Sequence, residues 1–124
     1  MNERKRILYL EDELELLETM GLLLREQGYE VISASRAEEA LEIAKSSTFN
    51  LILADIKLPG IDGFEFMKKL RQIEHCRTVP FVFLTAFNNL KAAMEAKKEG
   101  AAEYVTKPFD FEYLVARIKE LTPP

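Results

Sequence analysis

Asn50-Leu51-Ile52-Leu53-Ala54-Asp55-Ile56-Lys57-Leu58-Pro59-Gly60-Ile61-Asp62-Gly63 is the stretch that decides the fold of this chain. Its first five residues are nearly all apolar, the pattern of a strand covered on both faces rather than wet on one. Asp55 follows directly, and Pro59-Gly60 then enforces a turn before a helical period begins near residue 64. A buried strand ending on a carboxylate and handing over to a helix is one unit of an alternating α/β fold. Outward from it the unit recurs: apolar runs at Arg6–Leu10, Glu30–Ala34, Pro80–Leu84 and Glu103–Val105 alternate with helical candidates at 13–27, 36–46, 64–75, 89–99 and 110–121. The second and fifth runs are less continuous, which suits sheet edges. Gly28 and Gly100 stand where helices end in a left-handed residue. Ser35 with Glu38, and Asp62 with Glu65, have capping-box spacing, and Asp110 can cap the last helix. Strict alternation through five units implies right-handed crossovers and a parallel sheet with helices on both sides.

The chain has 124 residues, 48% apolar and 31% charged, which suits a single globular domain over 1–124. Its core is expected over about 6–121, with Thr122-Pro123-Pro124 stopping a helix and able to begin a linker. Seventeen Lys+Arg against twenty-one Asp+Glu give a net charge of −4, against a nucleic-acid binder working through a basic face. One cysteine excludes a disulfide framework and a multi-thiolate zinc site. No segment approaches the roughly 18 apolar residues of a membrane span or has a signal-peptide core, so a cytoplasmic setting is expected.

Open sheets of this type bind ligands beyond the carboxyl ends of their strands. There stand Glu11-Asp12, Ser35, Asp55, Thr85 and Thr106-Lys107. If strands one and three are neighbours, Glu11, Asp12 and Asp55 converge on one cleft, where repulsion and desolvation should raise at least one carboxyl pKa. Mg²⁺, which prefers carboxylate and water oxygens, resolves that conflict. Lys107 adds a positive charge from the other side and Thr85 a hydroxyl. Carboxylates, a hard cation, an ammonium and a hydroxyl describe a site for a phosphoryl group. No glycine-rich nucleotide loop is present, so the acceptor is the protein's own carboxylate. Asp55 is the natural nucleophile, standing alone while Glu11 and Asp12 form a metal-holding pair.

The Glu11-Asp12 pair, the Asp55 to Gly63 segment, the Thr85-Ala86 step, and Tyr104 followed by Lys107-Pro108-Phe109 together resemble the receiver domain of two-component response regulators, over roughly Arg6 to Leu121. The resemblance implies a flavodoxin-like (βα)5 doubly wound parallel sheet of strand order 2-1-3-4-5. It implies that Asp55 takes a phosphoryl group from a histidine kinase or histidine phosphotransfer protein. Asp12, Asp55 and the backbone carbonyl of Lys57 would hold Mg²⁺, with Mn²⁺ as a substitute, and Glu11 would be the second acid, often acting through water. Thr85 and Lys107 resemble the phosphate-sensing pair, Tyr104 the aromatic switch, and the Lys107–Pro108 bond a cis peptide. Glu11 stands where Asp is common; it is one methylene longer, which a water-bridged contact should absorb. Lys57 and Phe87, two residues after Asp55 and Thr85, flank the site, and Phe87 is expected to limit access of the hydrolysing water.

Each feature also has a plainer explanation. A Glu-Asp pair after a strand often caps a helix, and Asp12 can do both; Lys107 alone could be a solvated loop lysine. Four such coincidences at one sheet edge are needed to remove the site. Tyr104 could be simple edge packing, and His75 with Cys76 reads as a surface or loosely packed pair. In helix one, Leu16, Met20, Leu23 and Leu24 can face the sheet, while Leu14, Leu17 and Gly21 lie on another face. That second face is either helix packing or a docking surface for the kinase. Helix four, strand five and helix five carry Lys91, Lys97, Lys98, Tyr104, Phe111, Arg117 and Lys119, a face for an output partner or a phosphorylation-dependent homodimer. Two rivals remain: a metal-dependent phosphatase with an aspartyl nucleophile, and a receiver-like binding module that is never phosphorylated. The first wants Asp-x-Asp, and position 57 is Lys.

Overall fold

Alternate residues along each strand go to opposite sides of the sheet, and the core divides accordingly. In the computed structural model, which describes residues 4–124 and so leaves the first three residues of the 1–124 domain outside the described residues, five strands and five helices alternate. The strands are β1 (Arg6–Leu10), β2 (Glu30–Ala34), β3 (Leu51–Ala54), β4 (Phe81–Thr85) and β5 (Glu103–Thr106). The helices are α1 (Leu14–Glu26), α2 (Ala37–Ser46), α3 (Gly63–Arg71), α4 (Leu90–Lys98) and α5 (Phe111–Leu121), with a 3₁₀ turn at Glu74–Cys76. All pairings are parallel, in the order β2-β1-β3-β4-β5. This is the flavodoxin-like doubly wound sheet.

Ile7, Tyr9, Leu51, Leu53, Val82, Leu84 and Val105 pack under α1 and α5, against Met20, Leu24, Leu114 and Ile118. Leu8, Leu10, Ile52, Ala54, Phe81 and Phe83 pack on the other side, under α2, α3 and α4, against Ala40, Phe66, Leu70 and Ala96. Strands β1, β3 and β4 are almost wholly buried because both faces are covered. Among the described residues no helix is long and apolar enough to cross a membrane.

Several local expectations need correction. The 64–75 helix stops at Arg71, where Gln72 and Ile73 turn back on Lys69 and Leu70, and its last residues form the 3₁₀ turn. Asp62 and Asp110 do cap, accepting from the backbone N–H of Glu65 and Glu112, and Gly28 and Gly100 carry φ of 96°. Ser35 does not cap: Arg36 takes the N-cap position of α2 without a side-chain bond, and the Ser35 N–H donates to Glu39. Asp12 does not cap α1 either, because Glu13 is the N-cap residue. Cys76 is buried in the core rather than loosely packed, and the neighbouring His75 ring bonds the carbonyls of Ala44 and Ser47. Gly21 is buried, and Leu17 is half-buried against the α1–α5 core, so only Leu14 of that group is freely exposed. The packed body runs to Thr122, whose buried hydroxyl donates to the Ile118 carbonyl and pairs with the Tyr29 hydroxyl at 2.9 Å.

Candidate functional site

Three ladder bonds carry the strands one residue beyond their ends and so place the site. The Glu11 N–H donates to Ala34, the Asp55 N–H to Leu10, and the Lys107 N–H to Thr85. Continuing the alternation, Glu11, Asp55 and Lys107 fall in phase with Tyr9, Leu53 and Val105, on the α1/α5 side. Thr85 falls in phase with Phe83, on the side where Tyr104 packs. The same rim therefore holds two groups: an ionic cluster on one side of the sheet and a hydroxyl–aromatic pair on the other.

In the ionic cluster Lys107 bridges two acids. Its Nζ lies 2.7 Å from Glu11 Oε1 and 3.1 Å from Asp55 Oδ2. Glu11 is 1% exposed and Asp55 6%, so both carboxylates lie in poorly solvated surroundings. Glu11 Oε2 accepts from the Glu13 N–H at 3.1 Å. Asp55 Oδ1 accepts from the backbone N–H of Ile56 at 2.6 Å and of Lys57 at 3.3 Å. Asp12 is exposed, and Glu11, Asp12 and Asp55 each offer a carboxylate oxygen within 4.8 Å of the others. Burial pushes the Glu11 carboxyl above its ordinary pKa, only partly offset by Lys107 and the Glu13 N–H. For Lys107 burial acts to lower the pKa, but the Glu11 hydrogen bond and the charges of Asp55 and Glu11 outweigh it, so the ammonium titrates above its ordinary value.

A close backbone approach supports Asp55 from below. A Cβ on Gly63 would stand 2.2 Å from the Asp55 carbonyl oxygen, and the Gly63 N–H donates to Ile56. Only a residue without a side chain lets α3 begin against the acid's own backbone.

On the other side Phe87 links the remaining residues. Its N–H donates to Thr85 Oγ1 at 3.1 Å, its carbonyl accepts from the Tyr104 hydroxyl, and its ring lies 4.4 Å from Lys57 Nζ. The Tyr104 ring packs on Phe83 with centroids 6.2 Å apart, and Phe83 in turn meets Phe64 at 5.0 Å. The Lys107–Pro108 peptide is cis.

Some features escaped the sequence reading. The phenol of Tyr9, wholly buried two residues before Glu11, has no hydrogen-bond partner, and burial with the Glu11 and Asp55 charges pushes its pKa far up. Only an unusual hydroxyl inside an otherwise aliphatic strand marked it. Leu90, Met94 and Tyr113 are exposed on α4 and α5, a more apolar face than the lysines there suggested. Arg117 is not free on that face: it bonds Glu103 and the Ala102 carbonyl.

Residues 7–119 match the family described as the response regulator receiver domain. The chain is 35% identical over 117 residues to the transcriptional regulatory protein YkoG of Bacillus subtilis, covering 94% of this chain and 50% of that protein. It spans a quarter to about half of the length of the curated relatives it matches. Among solved structures, the non-phosphorylated receiver domain of HemR from Leptospira biflexa is 30% identical with a TM-score of 0.89, covering 98% of this chain and 96% of that one. The receiver domain of the sensor histidine kinase PA1611 from Pseudomonas aeruginosa, with a magnesium ion coordinated in its active-site cleft, is 29% identical with a TM-score of 0.86, covering 97% and 98%. Since the match runs through every strand and every rim residue described above, this chain belongs to the response regulator receiver domain family, whose general function is phosphorylation-dependent switching in two-component signalling.

Proposed function

We propose that Asp55 accepts a phosphoryl group from the histidine of a histidine kinase or histidine phosphotransfer protein, and that the added charge resets the Thr85–Tyr104 side of the sheet. The observation that carries this reading is the Lys107 ammonium held between two buried carboxylates, 2.7 Å from Glu11 and 3.1 Å from Asp55, at the rim where Asp12 also stands. In the transfer an Asp55 carboxylate oxygen forms the new P–O bond as the donor's P–N bond breaks, leaving an acyl phosphate. Lys107 is already within hydrogen-bond distance of that carboxylate and can follow the phosphoryl oxygens. The Thr85 hydroxyl, now engaged by Phe87 N–H, supplies the donor on the other side, and its movement is felt by Tyr104 through the same residue.

The donor set fits a hard divalent cation: three carboxylates meet within 4.8 Å. Asp12, Asp55 and the Lys57 backbone carbonyl would hold Mg²⁺, or Mn²⁺ in its place, with Glu11 beside them. Bound there, the ion supplies neutralisation of the phosphoryl oxygens.

The same reading assigns Leu14, with the outer part of Leu17, to the kinase contact beside the acidic rim. It assigns Leu90, Met94 and Tyr113 on the α4–β5–α5 face to an output partner or a second phosphorylated copy. The domain spans 1–124, works in the cytoplasm, and turns over no external substrate, catalysing only its own phosphorylation and slow dephosphorylation. Lys57 stands where the rival phosphatase needs its second acid, and its ammonium is turned onto Phe87.

Incubation with acetyl phosphate and Mg²⁺ is expected to give one labile phosphate adduct by intact mass, absent in Asp55→Asn. An adduct that survives Asp55→Asn, no adduct at all, or turnover of an external phosphoester would overturn the reading.

A further inference from the structure

Strand β2 stands at one edge of the sheet, paired with β1 alone. The Glu30 N–H donates to Lys5 and the Ala34 carbonyl accepts from Glu11, so Glu30, Ile32 and Ala34 turn their backbone groups toward β1. Val31 and Ser33 therefore point theirs outward, off the edge. A row of outward N–H and C=O groups on a strand of this kind is a template for another strand. One of those groups is taken. Arg25, in the last turn of α1, donates from Nη2 to the Val31 carbonyl at 2.9 Å. Its guanidinium lies over the buried Gly21, where a Cβ would stand 3.2 Å from Arg25 Nη1. Among the described residues Arg25 enters no ion pair, so its charge is spent on a backbone carbonyl and not on an acid. We propose that Arg25 guards the β2 edge, holding off a second copy of this chain that would otherwise pair there, β2 against β2.

The strand itself argues for a second copy. Antiparallel pairing about a two-fold axis at Ile32 sets Val31 of one copy opposite Ser33 of the other, and each such pair exchanges two hydrogen bonds. Half of these bonds end on the Val31 carbonyls, the groups that Arg25 occupies. The ends match in charge as well. Glu30 opens the strand and Arg36 follows it by two residues, both exposed, so the antiparallel arrangement brings the acid of one copy toward the base of the other. Their present partners are long contacts, Glu30 to Arg6 at 3.4 Å and Arg36 to Glu38 at 3.8 Å. Arg25 thus removes half of the pairing and puts a guanidinium where the other strand must lie. Gly21 belongs to the same device, because its missing side chain leaves the room in which Arg25 reaches the edge. None of this depends on the chemistry at Asp55.

Sedimentation equilibrium and amide hydrogen exchange on the unphosphorylated protein test the guard. Arg25→Met and Arg25→Gln, both good helix formers, remove the reach to Val31 without burdening α1. The wild type is expected to stay monomeric up to millimolar concentration, with a fast-exchanging Ser33 N–H. Both variants are expected to approach twice the monomer mass as concentration rises, with the Ser33 amide becoming protected in step. Ser33→Pro, which removes an outward donor and spares the ladder to β1, should return the Arg25→Met protein to monomer. Circular dichroism checks that each variant is folded, and either Arg25 variant suffices if the other is not. Folded variants that stay monomeric over the whole range would overturn the proposal. So would association that survives Ser33→Pro or leaves Ser33 unprotected, since it would run through another face. A wild type whose Ser33 amide is already protected as a monomer would show that the edge is closed by something other than Arg25, with the same consequence.

Discussion

The Lys57 ammonium stands 4.4 Å from the centroid of the Phe87 ring, so the residues two after Asp55 and two after Thr85 meet across the cleft. Such a contact contributes about 0.5–1 kcal/mol at a partly exposed site. It ties the loop after β3 to the loop after β4 at the rim where Asp55 stands, and under the proposed function it narrows the approach of a hydrolysing water. Phe87→Glu is therefore expected to shorten the lifetime of the phosphorylated protein, and Lys57→Gln to shorten it less, by about two- to fivefold if only the contact is lost. The decay of the adduct followed by intact mass checks both. An unchanged decay in Phe87→Glu removes the gating role.

Gly63 makes a different kind of prediction, because its effect reaches Asp55 through the backbone. A methyl group there would lie 2.2 Å from the Asp55 carbonyl oxygen and 2.8 Å from the Ile56 Cα. Neither neighbour is a flexible side-chain tip, so the β3–α3 connection must shift. Gly63→Ala is expected to cost about 1–3 kcal/mol or more in urea unfolding and to slow phosphorylation by acetyl phosphate. Wild-type stability would show that α3 can back away at no cost.

The alternation of apolar runs with helical periods made the five units legible, and the ends of β1 and β2 fall where the pattern puts them. The order of strands did not come from that pattern: it entered with the family resemblance and is found in the pairing. Asp12, Asp55 and Lys107 were legible together and not singly: each alone has a plainer explanation, but their coincidence at the carboxyl ends of one sheet does not. What remained hidden depends on side-chain reach. The extra methylene of Glu11 looked like slack for a water, but the carboxylate bonds Lys107 directly. Leu17 follows Leu14 by nearly one turn of α1, yet it is half-buried against the core. Ser35 and Glu38 have capping-box spacing, but α2 starts at Ala37, one residue too late for Ser35 to occupy the cap.

Leu14 is 67% exposed at the first turn of α1, next to the acidic rim. A charge there touches no core residue, unlike one at Leu17. Leu14→Glu is thus expected to leave thermal stability within about 0.5 kcal/mol of wild type. It should slow phosphotransfer from the histidine donor while leaving the reaction with acetyl phosphate unchanged. Equal slowing with both donors would place the defect in the site and not in docking.

Lys107 links the site to stability through pH. Glu11 and Asp55 face its ammonium and hold its folded pKa above the ordinary value, despite the opposing effect of burial. A cation with a raised folded pKa stabilises fully below its unfolded pKa, about 10.4 for lysine, and that contribution is lost as pH rises through the folded value. Urea unfolding at about pH 8 and about pH 11 should therefore show a larger loss for the wild type than for Lys107→Gln. All other titratable groups are common to the two proteins, so the difference between the two losses isolates this ammonium and the acids around it. A Lys107→Gln protein that loses as much stability as the wild type over that interval would mean that the pair of contacts at 2.7 and 3.1 Å does not favour the charged lysine in the folded state.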